Sequence, residues 1–230
     1  MKKSEELGEQ LRQILMEHGA VLVGYGDVAE LTEDDLNTGV SVALPMPKEM
    51  VHSIEQDVTE EYRQWYHSAN AVLDEAIRAG AAFLRENGWR VREYTTDKVV
   101  RLPGNYTELP HKSAAIRAGL GWIGKSCLLV TPEYGSALRL STMVTDAPLP
   151  LAEPILTSRC GGCTKCRDIC PYGAIKGVNW AQGVTRDEMF DQDKCAKGAA
   201  ARCRQVIGIE MTICGKCFIF CPYTRRYLNR

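Results

Sequence analysis

Ten cysteines are the residues most able to do chemistry here, and nine of them lie between Cys160 and Cys221. They form two groups. The first reads Cys160-x2-Cys163-x2-Cys166-x3-Cys170-Pro171 and the second Cys214-x2-Cys217-x3-Cys221-Pro222. Three thiolates at two-residue spacing can wrap one loop around a small tetrahedral body and reach three of its corners. A fourth must arrive from elsewhere in the chain, which is the demand of a [4Fe–4S] cubane. Structural zinc asks for something different, two Cys-x2-Cys pairs closing one tetrahedron across a longer loop, and a triple run ending in Cys-Pro fits that poorly. Gly161, Gly162 and Gly215 let backbone N–H groups approach the sulfides.

In two-cluster chains with this spacing, the cysteine before the proline ligates the other cluster. Carried over, the first cluster takes Cys160, Cys163, Cys166 and Cys221, and the second takes Cys170, Cys214, Cys217 and one more. The second group has no leading cysteine, so the last ligand is Cys195 or Cys203. Cys127 stands alone in the apolar run Cys-Leu-Leu-Val and reads as a small core residue. Two interlocked clusters move single electrons at low potential.

A module of this kind needs only the last third of the chain, so the residues before it need their own account. With 230 residues and 45% hydrophobic content, the chain can bury a sizeable core. Its net charge of −1 gives no whole-chain pull toward nucleic acid or an anionic membrane. The N-terminus runs directly into an amphipathic helix pattern without the marks of a signal peptide, and no apolar stretch is long enough to span a bilayer. The expected location is the cytoplasm, where clustered cysteines read as metal ligands and not as disulfides.

The elements read as α+β. Helices are expected over Ser4–His18, Thr59–Asn87 and His111–Ala118, with Thr59 as N-cap and Gly88 ending the long helix. Strands are expected over Ala20–Tyr25, Gly39–Leu44, Val91–Tyr94, Cys127–Thr131 and Leu138–Val144, the last two joined across Pro132–Gly135. The prolines at 148, 150 and 154 mark a connection, giving an α+β domain over 1–150 and a double-cluster domain over 151–230. Gly24-Tyr25-Gly26 follows a strand but lacks the rest of a dinucleotide fingerprint. The four histidines lie apart, without metal spacing.

Ahead of the clusters runs Ala118-Gly119-Leu120-Gly121-Trp122-Ile123-Gly124-Lys125, followed by Tyr134-Gly135-Ser136 and Thr145-Asp146-Ala147-Pro148-Leu149. In this order, with the cysteine groups behind them, these motifs resemble the epoxyqueuosine reductase and reductive dehalogenase superfamily. The resemblance implies a nitroreductase-like, cobalamin-binding α/β core followed by a bacterial-ferredoxin-like double [4Fe–4S] module. It supports Cys195 as the eighth ligand. It also implies that Gly119, Gly121 and Gly124 let the backbone approach a base-off cobalamin, with Trp122 and Lys125 as further contacts. The chain departs from the family at Asn105, which stands where epoxyqueuosine reductases carry an acidic proton donor; His111 replaces a Glu, and Tyr106 is the remaining candidate donor.

Three functions follow as expectations. One is an oxidoreductase using bound cobalamin on a small substrate. Another is an electron-transfer protein that reduces the corrinoid of a partner. The third is epoxyqueuosine reduction on tRNA, although near-zero net charge and the lack of a helical-repeat extension argue against tRNA as a partner. A ferredoxin or flavodoxin is the expected electron donor.

Overall fold

The computed structural model describes residues 2–33 and 35–230, apart from the side chains of Lys2 and Asn105. The first half contains α1 (Lys2–Glu17), β1 (Leu22–Asp27), β2 (Thr38–Pro45), α2 (Lys48–Ser53), α3 (Glu60–Glu86) and β3 (Val91–Glu93). Then come β4 (Arg101–Leu102), a 3-10 turn (Pro103–Asn105), β5 (Tyr106–Thr107), α4 (His111–Arg117), β6 (Trp122–Ile123), β7 (Leu129–Val130) and β8 (Leu138–Thr145). The last third is helical: α5 (Lys165–Ile169), α6 (Arg186–Met189), α7 (Gln192–Ile207), α8 (Lys216–Ile219) and α9 (Pro222–Leu228). Among the described residues no helix is long and apolar enough to cross a membrane.

The chain divides into two compact units that interleave in sequence. One comprises the segments up to Leu44, Ser68–Gly121 and Arg139–Ile155; the other comprises Pro45–His67, Trp122–Leu138 and Leu156–Arg230. The expected division at residue 150 put everything before it in one domain, whereas segments 45–67 and 122–138 fold with the cysteine-rich segment.

The first unit is built on a four-stranded sheet in the order β1-β2-β8-β3, with β1–β2 and β3–β8 antiparallel. Leu11 and Leu15 of α1 and Leu73, Ile77 and Leu84 of α3 recur at helical spacing. They pack with Val23, Tyr25, Val40, Val42 and Met143 of the sheet into one apolar cluster. The long helix begins as expected: the Thr59 hydroxyl accepts from the Tyr62 N–H at 3.2 Å. It ends at Gly88, whose φ of 86° is the left-handed conformation that stops a helix.

The opposite face of β1 is also covered, which explains Gly24 and Gly26. A Cβ on Gly26 would lie 2.3 Å from the carbonyl carbon of Arg117, and one on Gly24 would lie 2.4 Å from the Ala118 oxygen. The end of α4 therefore rests directly on β1, and only glycine allows that approach. This pair is a packing device and not a fragment of a nucleotide fingerprint.

The second unit contains the hairpin β6–β7, pairing Trp122 with Val130 and Ile123 with Leu129. The turn at Pro132–Gly135 forms as expected, bridging Thr131 and Gly135, but its flanking strands pair elsewhere: β7 with β6, and β8 in the four-stranded sheet. Met46, Ile54 and Tyr62 pack with Ala137, Cys203, Ile213, Phe218 and Ile219 in this unit's own core. Polar contacts reinforce it. Arg202 donates to Asp57 at 3.1 Å, Arg225 donates to Glu55, and the Lys216 ammonium donates to the carbonyls of Glu55 and Gln56 at 2.7 and 2.6 Å.

Because backbone meets backbone at Gly26, the Gly26→Ala variant is expected to lose about 1–3 kcal/mol of stability, read as a lower denaturation midpoint with unchanged helix content.

Candidate functional site

Local structure in the second unit is arranged around cysteines. Cys163 donates its N–H to the Cys160 carbonyl at 3.1 Å, closing a turn through Gly161, whose φ of 53° favours glycine. Cys166 lies on α5 and Cys170 ends it, since the residue before Pro171 is steered away from helical backbone. The second Cys-Pro pair works in the opposite sense. Cys221 is the N-cap of α9 and Pro222 occupies the first helical position, where a missing N–H costs nothing. Cys195 and Cys203 lie on α7, which starts where Asp191 accepts from the Lys194 N–H at 3.0 Å. Gly215, with φ of 87°, opens α8 and turns Cys214 and Cys217 inward.

These elements sort the thiols into two cavities. Cys160, Cys163, Cys166 and Cys221 line one, beside Gly124, Lys125 and Tyr223. Cys170, Cys195, Cys214 and Cys217 line the other, beside Tyr172, Ile175 and Phe190. Cys217 and Ser126 border both. Each set draws one member from the distant cysteine group, which is the crossing read from the spacing. Cys203 lines neither: it is fully buried in the apolar core, with its thiol donating to the Ile213 carbonyl at 3.2 Å. Cys127 is also buried, and among the described residues it is the non-glycine residue with positive φ, 61°.

The electrostatics call for a cation. Burial raises the Cys166 thiol to about 11, with Cys160, Cys221 and Cys163 adding to the rise. Burial raises Cys195 to about 11 as well, helped by Cys214 and Cys170. Cys217 is pushed up by burial and by the thiols around it. At Cys221 burial raises the thiol while the backbone N–H groups of Tyr223 and Thr224, in the first turn of α9, pull it back. Four thiolates this close are stable only around a body carrying several positive charges. Among the described residues no group of three or more His, Cys, Asp or Glu side chains is gathered as a single ion requires. The thiols ring two spaces, and that donor set fits two iron–sulfur cubes.

The residues expected to contact a corrin are placed differently. Gly119 takes φ of 70° just after α4, where a Cβ would lie 3.1 Å from Ala152. Gly121 is buried in the same unit. In the second unit, Trp122 is buried and meets Tyr223 edge to face at 4.8 Å, its indole N–H without a partner among the described residues. Gly124 lies where a Cβ would meet Val130 at 2.6 Å, with the Cys160 sulfur 3.5 Å away. Lys125 is buried, and its ammonium donates to the Cys163 carbonyl at 3.0 Å. Lys125 thus has a protein acceptor, while the buried Trp122 N–H has none among the described residues. Tyr106 lies exposed on β5, paired with Leu102 on β4. The Asn105 side chain, which bears on the proton-donor question, lies outside the described residues.

His111 is half-buried. Its ring meets the Thr142 hydroxyl at 3.0 Å, and burial, with the Arg139 charge adding, lowers it to about 4. A folded-state value below the ordinary 6.5 means that the unfolded chain binds the proton more readily. Stability is therefore full above pH 6.5 and falls as pH drops toward 4. His111→Gln is expected to remove about 1–2 kcal/mol of the loss between pH 6.5 and 5, measured by denaturant unfolding at the two pH values.

Residues 159–224 match the family of 4Fe–4S double cluster binding domains. An epoxyqueuosine reductase from Bacillus cereus is 36% identical over 150 residues, covering 60% of this chain and 37% of its own length. By fold, a reductive dehalogenase structure described as suggesting a mechanism for B12-dependent dehalogenation superposes with a TM-score of 0.73 at 20% identity, covering 98% of this chain and 34% of that one. An epoxyqueuosine reductase structure holding an epoxyqueuosine-modified tRNA stem loop superposes with a TM-score of 0.64 at 22% identity, covering 96% and 66%. The expectation that set tRNA aside stands against two facts about other proteins: relatives in sequence carry the epoxyqueuosine reductase name, and one relative in fold holds a tRNA stem loop.

Proposed function

We propose that this chain, a member of the epoxyqueuosine reductase and reductive dehalogenase superfamily and an iron–sulfur oxidoreductase, relays low-potential electrons through two clusters to a corrin acceptor. The sorting of eight thiols into two cavities, each completed by a cysteine from the distant group, carries the reading. Cys160, Cys163, Cys166 and Cys221 hold the first cluster; Cys170, Cys195, Cys214 and Cys217 hold the second. When bound, the clusters supply one-electron chemistry. The chain's own part is to bury the thiolates, to aim the α9 amides at Cys221, and to keep Cys217 and Ser126 at the border of both cavities. A ferredoxin or flavodoxin is the proposed donor.

The corrin enters this reading as the electron acceptor. It is supported by the family and by the likeness to a B12-dependent dehalogenase structure. A second reading, epoxyqueuosine reduction on tRNA, is favoured by the names of the relatives.

Two measurements test these assignments. After anaerobic reconstitution, the protein is expected to hold about eight irons and as much acid-labile sulfide. Cys221→Ser and Cys195→Ser should each lose or convert one cluster, while Cys203→Ala and Cys127→Ala keep both. Full loading in Cys195→Ser with loss in Cys203→Ala would reverse the eighth ligand. For the acceptor, adding cobalamin to the reduced protein, alone or with a corrinoid partner, should produce a corrin absorbance change that cluster-depleted protein does not give. An unchanged spectrum in both arms overturns the corrin reading. The tRNA reading is decided by nucleoside analysis of a reductase-deficient strain expressing the chain, where persistent epoxyqueuosine rules it out.

A further inference from the structure

Among the described residues the buried ionic side chains are Asp74, Glu93 and Lys125. Buried charge is retained where something answers it. Glu93 is answered by Arg85 at 2.7 Å and Lys98 at 2.9 Å, and Asp74 accepts from the Thr96 N–H at 3.0 Å and from its hydroxyl. Lys125 differs. Its ammonium donates to one neutral acceptor, the Cys163 carbonyl, and no carboxylate lies within ion-pair reach of it among the described residues. The cavity beside it is lined by Cys160, Cys163, Cys166 and Cys221.

The loop that carries Lys125 is fixed. Gly124 donates to the Leu128 carbonyl and Cys127 donates to the Gly124 carbonyl, both at 2.8 Å, and Cys127 is held at positive φ. Gly124 packs against Val130, where a Cβ would clash at 2.6 Å, with the Cys160 sulfur 3.5 Å from that position. The second cavity has a lysine too, but Lys216 is only half-buried, and two carbonyls, of Glu55 and Gln56, occupy its ammonium. Its charge is screened by water in a way that Lys125's is not.

We propose that Lys125 is the built-in counter-charge of the first cluster, and that it makes this cluster the easier of the two to reduce. The inference rests on the cluster reading above. A cube with its four thiolates is an anion, and accepting one electron from the second cluster makes it more negative by one unit, with no bond formed and no proton moved. A fixed ammonium in a low-dielectric wall stabilises the reduced form more than the oxidised form. Electrons then settle on the first cluster, and the pair acquires a direction. Lys125 is a positioning residue in this scheme: it tunes the cluster and does not touch substrate.

The test is an EPR-monitored redox titration of reconstituted protein, with iron and sulfide counted on each sample. Lys125→Met and Lys125→Gln should shift the first cluster's reduction equilibrium about tenfold toward the oxidised form, which is 59 mV for one electron, and leave the second cluster unmoved. Lys125→Arg should restore the wild-type value. The glutamine variant is decisive, because it can still donate to the Cys163 carbonyl but carries no charge. If its potential matches wild type while methionine's does not, Lys125 acts through the hydrogen bond and the proposal is overturned. The proposal also falls if all variants titrate like wild type with both clusters present. Wild-type protein that never holds two clusters refutes the cluster reading instead, a result the iron count identifies separately. In iron-free protein, Lys125→Met should be no less resistant to denaturant than wild type, since the ammonium then lacks its anion; a large loss of stability there would mark Lys125 as merely structural.

Discussion

Mutual repulsion among buried thiolates is the constraint from which the rest of the second unit follows. Burial raises the Cys166 and Cys195 thiols, and the cysteines around them raise them further. Only a compact, multiply charged body reverses that. The fold therefore has to place three thiols on one loop, bring a fourth from far along the chain, and supply donors and cations around them. Pro171 ends one helix and Pro222 begins another, so the same dipeptide aims two cysteines at opposite cavities. The first-turn amides of α9 and the Lys125 ammonium contribute the positive potential that remains to be supplied.

The motif ahead of the clusters illustrates how one stretch serves several ends. Ala118 and Gly119 close α4 against the sheet, Trp122 begins a hairpin and packs on Tyr223, and Gly124 and Lys125 form part of a cysteine cavity. Gly124 and Lys125 border the first cysteine cavity, and Trp122 packs on Tyr223, which lines it.

Much of this was legible from spacing. Cysteine intervals imply the cage and the crossing because ligand geometry is local and strict, and Leu11, Leu15, Thr59 and Gly88 announce their helices by periodicity and capping. The helix Gln192–Ile207 was not legible, since its buried residues are Ala199 and Cys203 and it carries little apolar signal. The choice between Cys195 and Cys203 depends on that helix, because Cys195, near its start, lines the second cavity while Cys203, about two turns on, lies in the apolar core. Nor could the sequence reveal that segments 45–67 and 122–138 join the cysteine-rich segment: such packing is settled by long-range contact, which composition along the chain does not record. Gly24 and Gly26 likewise became intelligible only once α4 was seen against β1.

The interleaving has a bearing on anyone who wishes to cut out a minimal electron carrier. A fragment starting at residue 151 looks natural from the cysteine content, yet it discards Met46, Ile54 and Tyr62, which cover Ile213, Phe218 and Ile219. It also discards Asp57, Glu55 and the Gln56 carbonyl, leaving Arg202, Arg225 and Lys216 without their partners, and it removes the Gly124–Lys125 edge of the first cage. An excised miniature would have to retain both upstream segments, rejoined by linkers, to keep its iron in a dry, charge-balanced setting.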